Sequence, residues 1–409
     1  MTAQAATRWV AAVAFAGGLG GGLVFPILPA LGLQLGISGL LIGLILSANR
    51  ISRLLCDAPV GHLVDRIGGK RTLSWGMSLE ALGIMGYSAA LHFGHPIWWL
   101  LGGRIVFGIG SALLIVGAQA TVLRLSSHAN RGRRAATVRV ALSMGMPGGL
   151  VLGGVIADVA SDDMAFWVGA CLTLVGALIA HWRVPTARPH TRRTTPAKIS
   201  VAQRLHELFT LPGFPVLSLV WGFNTLIYLC VQGVLLATLV VLVHDRSVSL
   251  LGLRAQGTAG LVMAALMVSS SVMAFLLGRG IDRFRLRSSV VLPCLLVLAA
   301  GFAVLAFAAT LGMMFLGALL VGGSFNGIIL PMLTLLGDVI PPDQYGRAVG
   351  LYQVFGDVGG SVGPIVGLEA GIRLGLLPTY LGVAVLIAAA LPAALWVRRR
   401  EVKMRGGVG

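Results

Sequence analysis

Gly61-His62-Leu63-Val64-Asp65-Arg66-Ile67-Gly68-Gly69-Lys70-Arg71 is the stretch that decides the fold. It is a short polar loop between two long apolar runs. It returns in weaker form as Gly278-Arg279-Gly280-Ile281-Asp282-Arg283, so that both copies read G-x-x-x-D-R. Gly278 stands 217 positions after Gly61 (278 minus 61). A second echo links Gly132-Arg133 to Gly346-Arg347, at an offset of 214 (346 minus 132). Two similar offsets at equivalent points between apolar runs indicate a duplicated unit.

The runs around these loops are too apolar for a water-soluble globule. Of 409 residues, 56% are hydrophobic and 11% charged, and mean hydropathy is +0.90. A soluble domain carries roughly 25% charged residues. A spanning helix needs about 20 mostly apolar residues. The sequence predicts twelve such spans, at approximately 9–32, 37–62, 72–93, 97–123, 136–158, 164–182, 213–243, 256–278, 289–309, 312–336, 348–371 and 377–397. The first is too long for a cleavable signal core and reads as a retained helix. The expected fold is therefore all-α and integral to a membrane, with two pseudo-symmetric six-helix bundles. They would comprise residues 1–182 and 213–409, joined by a basic linker over 183–212 that contains RVPTARPHTRRTTPAK.

The net charge of +17 sits in short clusters between the spans. This is topogenic charge and does not point to a nucleic-acid partner. Most basic loops fall on one side of the alternating spans, together with the tail cations Arg398, Arg399, Arg400, Lys403 and Arg405. Both termini and the linker are thus expected in the cytoplasm, with the chain multi-pass in the plasma membrane. Cys56, Cys171, Cys230 and Cys294 show no pairing or metal-ligand spacing and read as small core residues. No metal and no cofactor are expected.

The Gly61–Arg71 segment resembles the signature loop of the major facilitator superfamily, G-x-L-x-D-R-x-G-R-[KR]-x. Gly69 replaces the usual basic residue, and Lys70 and Arg71 keep the charge. The resemblance implies a conformational latch built from Gly61, Asp65, Arg66, Gly68, Lys70 and Arg71, with Gly278, Asp282 and Arg283 as its copy. On physical grounds, Gly61 would allow close helix approach, and Asp65 would pair with a neighbouring Arg or cap a helix. Arg104-Ile105-Val106-Phe107-Gly108-Ile109-Gly110 resembles the family's R-x-x-x-G-x-G motif. An Arg at that depth faces a partner or a watery cavity, or snorkels outward. Gly145-Met146-Pro147-Gly148-Gly149 with Gly153-Gly154 partly resembles the Gly-Pro-rich motif of drug–proton antiporters. Gly363-Pro364-Ile365-Val366-Gly367 is closer to that pattern but lies in the other half. Generic small-residue helix packing explains both segments as well.

Several polar side chains interrupt the spans. Asn49, Arg50, Arg53 and Asp57 share one face of the second, and Glu80 lies at a similar depth in the third. An Arg53–Glu80 or Arg53–Asp57 pair is expected. Gln353, Asp357 and Ser361 follow at i, i+4 and i+8 in the eleventh span. Trp221, Asn224, Tyr228 and Gln232 form a stripe on the seventh. Such a stripe either lines a cavity or bonds helix to helix. Burial disfavours the charged form of a carboxylate, which suits a proton-coupled carrier. Arg50, Arg53, Glu80, Arg104 and Asp357 are accordingly the candidate coupling or substrate groups. Asn49, Trp221, Asn224, Tyr228, Gln232 and Gln353 are the candidate lining groups.

The expected function is secondary active transport by alternating access, with protons as coupling ion and a small drug-like or amphipathic metabolite exported. The alternative is a proton-coupled importer of a small polar or anionic solute, and a further one is a membrane sensor or embedded enzyme. No nucleotide-binding loop or nucleophile constellation is present in the sequence. The expected partners are the solute, the proton and the bilayer, with the chain acting as a monomer.

Overall fold

A computed structural model describes residues 2–126, 131–185, 214–280, 286–340 and 345–406. Among these residues the chain is helical and forms no strand. In a bilayer each backbone N–H and C=O must be satisfied within its own segment, which selects helices for runs this apolar. The first half holds α1 (Ala3–Leu23), α2 (Leu28–Gln34), α3 (Gly39–Ile67), α4 (Gly69–His92), α5 (Pro96–Arg124), α6 (Arg131–Val159) and α7 (Asp162–Arg183). The second half holds α8 (Phe214–Ile227), a π-helical stretch (Tyr228–Leu235), α9 (Leu236–Asp245), α10 (Ala255–Gly280), α11 (Val291–Ala306), α12 (Leu311–Val339), α13 (Tyr345–Leu374), α14 (Leu376–Ala389) and α15 (Leu391–Gly406).

Each of the twelve expected spans is occupied by helix. Ten are long and apolar enough to cross a membrane. The two that fall short are α4 and α13, which carry Glu80 and Asp357. The first span is broken at residues 24–27, where Pro26 has no N–H to offer and Pro29 opens α2. The last span is interrupted between α14 and α15, next to Pro392, for the same reason. Ser161 starts α7 by accepting from the Met164 N–H at 3.1 Å, with Asp162 and Asp163 in the first turn.

The described contacts group into two compact units. The first comprises Met1–Thr191, Leu236–Ala264 and Pro364–Glu369, and the second Arg192–Leu235, Ala265–Gly363 and Ala370–Gly409. Most of the expected linker lies outside the described residues.

Each unit is sewn by glycine. In the first, α1 crosses α6 so closely that a Cβ on Gly149 would stand 2.0 Å from the Leu19 carbonyl oxygen. Gly145 and Gly153 meet the carbonyls of Phe15 and Leu23 in the same way. The Gly-Pro-rich segment of α6 is thus a close helix crossing. In the second unit, α13 crosses α8 and the π-helical stretch. There a Cβ on Gly359 would stand 2.0 Å from the Thr225 carbonyl oxygen. The four cysteines are free, and Cys171 is exposed on α7, not part of a core.

Candidate functional site

The first unit encloses a charged set. Glu80 of α4 is 1% exposed, and Arg104 of α5 is 0% exposed. Arg104 therefore does not snorkel. Its Cζ lies 5.6 Å from the ring centroid of Phe25 on α1 and 5.9 Å from that of Tyr87 on α4. Two aromatic faces take the place of a counter-ion. The Tyr87 hydroxyl feels the charges of both Arg104 and Glu80 but stays short of hydrogen-bond geometry with the guanidinium. Glu80 Oε2, the Tyr87 hydroxyl and all three guanidinium nitrogens are enclosed without a hydrogen-bond partner among the described residues.

The expected Arg53–Glu80 pair is not formed. Glu80 projects on the face of α4 that packs on α1 and α5. Its Oε2 lies 3.3 Å from the position a Gly17 Cβ would take, and its Cγ 3.0 Å from that of a Gly110 Cβ. Arg50, Arg53 and Asp57 are half-buried on α3, and each is engaged in contacts. Asn49 is half-buried, and its carbonyl packs against Gly108 of α5.

The second unit encloses neutral polar groups together with the carboxylates of Asp357 and Glu401. Asn224 donates from Nδ2 to the Tyr352 carbonyl. The Tyr352 hydroxyl in turn donates to the Ile329 carbonyl at 3.0 Å. Thr225 donates to the Phe355 carbonyl at 3.0 Å. Trp221 stacks on Phe355 with centroids 5.4 Å apart and planes at 5°. Tyr228 meets Phe325 edge-on at 5.3 Å, and the Gln232 amide lies 4.0 Å from the Met267 sulfur. Both Trp221 and Asn224 are buried; Asn224 Nδ2 bonds helix to helix and Trp221 stacks, whereas Trp221 Nε1 and Asn224 Oδ1 are enclosed without a hydrogen-bond partner among the described residues. The π-helical stretch begins at Tyr228 and turns the lower stripe out of α-helical register. On α13 the expected face divides: Asp357 is 3% exposed and engaged, whereas Gln353 is exposed.

The decisive loop is a one-residue turn. Gly68 ends α3 and begins α4 at φ 82°, a backbone region that favours glycine. Asp65 pairs with Arg124 at the end of α5. Gly69 is buried against Thr121 of α5, where a Cβ would overlap the hydroxyl. This explains why the family's basic residue is missing there. Gly61 does not serve a close approach, because nothing lies within 4 Å of its would-be Cβ, and the same holds for Gly278. Arg66 and Arg71 are exposed and Lys70 is half-buried. Asp282 and Arg283 of the second copy lie outside the described residues.

Three functional-site features escape the sequence reading. Tyr87 stands seven residues after Glu80 (87 minus 80), two turns along the same face, and that spacing was a usable signal. Asp158 of α6 accepts the Gly257 N–H at 2.7 Å and so caps the start of α10. Glu401 of α15 is buried. Neither of these two carries a local sequence signature, since each partner is distant along the chain.

Comparison with known proteins shows the family and the fold. The family profile of the Major Facilitator Superfamily matches residues 10–253 and 252–408. The inner membrane transport protein YajR of Escherichia coli (strain K12) is 28% identical over 173 residues, covering 42% of this chain and 37% of that protein. Multidrug resistance protein 1 of Bacillus subtilis (strain 168) is 26% identical over 165 residues, covering 40% of each. The chain therefore spans about two fifths of the length of the curated relatives it matches. A variant of the nucleoside transporter NupG shares the fold with a TM-score of 0.79 at 14% identity, over 95% of this chain and 99% of that one.

Proposed function

Because the chain belongs to the Major Facilitator Superfamily, and is thus a multi-pass membrane transporter, we propose that it is a proton-coupled exporter of small amphipathic solutes. It works by alternating access in the cytoplasmic membrane, as a monomer with both termini inside. Glu80 carries the coupling proton, and Arg104 with Tyr87 sets the field in which that proton is gained and lost. One observation carries the reading: a carboxylate and a guanidinium are enclosed in one unit without hydrogen-bond partners. Intramembrane charge is costly and marks proton relays and substrate paths. A carboxylate without a donor beside it sheds that cost by taking up a proton. The Bacillus relative's name as a multidrug resistance protein supports efflux, and the Escherichia relative's as an inner membrane transport protein supports that location.

A second reading is import of a small anionic solute. Arg104 favours it, since a guanidinium with free donors matches a carboxylate or phosphate. Proteoliposomes separate the two. With an acidic lumen and neutral exterior, an exchanger accumulates a fluorescent amphipathic dye as protons leave, and a protonophore abolishes the uptake. Accumulation of an anionic solute with the exterior acidic selects the importer. Equal uptake with and without a gradient overturns proton coupling in both readings.

A further inference from the structure

The end of α15 reads Leu395-Trp396-Val397-Arg398-Arg399-Arg400-Glu401-Val402-Lys403. Its only acid faces inward. Glu401 is 1% exposed, and its carboxylate accepts three hydrogen bonds. They come from the Arg287 N–H at 2.7 Å, the Ser288 N–H at 2.9 Å and the Ser288 hydroxyl at 2.5 Å. Those N–H groups open the short turn before α11, where donors otherwise lack partners. The Arg287 side chain points to Asp338 at the end of α12, with Nε 3.5 Å from Oδ2. The cations reach the surface around Glu401. Arg398, Arg399, Arg400 and Lys403 are exposed. Arg400 lies over the Trp396 ring at 5.0 Å. The exposed Leu395 and Val402 share that surface with them.

Topogenic charge acts by number and needs no fixed geometry. A merely solvated basic run needs no anchor. Here a buried carboxylate with three donors anchors the helix among its cations, and apolar groups share that surface. Cations, an aromatic ring and exposed aliphatic groups together match the boundary between anionic headgroups and acyl chains. A free phosphate would use the cations and leave Leu395 and Val402 without purpose.

We propose that the end of α15, held in register by Glu401, is a docking platform for anionic phospholipid headgroups. The test uses the full chain in nanodiscs of phosphatidylcholine with increasing phosphatidylglycerol. Lipid that stays bound after release into detergent is counted by native mass spectrometry. Replacing Arg398, Arg399 and Arg400 by Gln together is expected to lower phosphatidylglycerol retention about tenfold and to leave phosphatidylcholine unchanged. Glu401→Ala keeps every cation and is expected to lower retention several-fold, which net charge alone does not explain. Wild-type retention in either variant overturns the proposal, as does an equal loss of both lipids. If Glu401→Ala fails to fold, Ser288→Ala takes its place with an expected loss of about twofold, and wild-type retention there overturns the proposal.

Discussion

In the first unit three enclosed ionisable side chains, Glu80, Tyr87 and Arg104, have polar atoms without a hydrogen-bond partner among the described residues. In the second unit an amide, a phenol and a hydroxyl reach backbone carbonyls on neighbouring helices, while Trp221 Nε1 and Asn224 Oδ1 are enclosed without a hydrogen-bond partner among the described residues. Asn326 follows the same habit, donating to Ser270 at 2.7 Å and 3.0 Å. Bonded neutral groups join helices in a bilayer at modest gain. Enclosed charges without partners destabilise the fold that holds them, so their retention speaks for function. The difference suggests a division of labour in which the first unit carries the charge chemistry and the second a rigid frame. Asp357 and Glu401 are buried carboxylates of the second unit, and both are engaged.

The largest effect should come from Glu80→Gln. It keeps the shape and removes the proton site. Gradient-driven transport is expected to fall to the level of protein-free liposomes, and its pH dependence to vanish. Thermal stability should hold or rise, because a neutral amide replaces an enclosed carboxylate. An unchanged pH profile would break the division of labour at its base.

Next come the two glycine seams, which should not distinguish the units. Gly149→Leu and Gly359→Leu each place a side chain where a backbone oxygen stands 2.0 Å from the Cβ position. Overpacking of this kind costs about 3 kcal/mol or more when the backbone cannot yield. Both variants are expected to melt early. Gly61→Leu, at an open position, is expected to melt like the wild type. A seam in one unit that tolerates leucine would show that the frames differ as well.

These contrasts also show what a sequence can reveal. Span number, the duplicated loop and the depth of Arg104 follow from hydropathy and spacing, which are local and periodic. Gly69 was legible only as a departure from the family pattern. Its cause, Thr121 on α5, is a contact between distant segments. The wrong partner for Glu80 has the same origin. Depth along two antiparallel helices can be counted, but rotation about each helix axis is set by packing. The π-helical stretch at Tyr228–Leu235 leaves no compositional trace and shifts every later position of the stripe.

A smaller effect is expected from Asn224→Ala, which removes the bond from Nδ2 to the Tyr352 carbonyl. Interhelical hydrogen bonds in membranes average roughly 0.6 kcal/mol and reach about 1.7. Stability should fall within that range in detergent unfolding, and the pH profile of transport should keep its shape. A displaced pH profile would assign Asn224 to the coupling machinery and blur the contrast between the units.

The smallest stability effect belongs to Asp65→Asn. The pair with Arg124 is a charged contact at the surface of the first unit, and its carboxylate side chain is 61% exposed. Exposed ion pairs contribute up to about 1 kcal/mol, so unfolding should move by less than that. Turnover is another matter. If the loop between α3 and α4 latches one state of the carrier, weakening the pair shifts the balance of states and changes the transport rate several-fold at unchanged pH dependence. Glu80→Gln and Asp65→Asn would then part cleanly, one erasing the pH profile and the other only scaling it. Loss of the pH profile in Asp65→Asn would instead place the loop in the proton path and extend the charged set of the first unit from its interior to its surface.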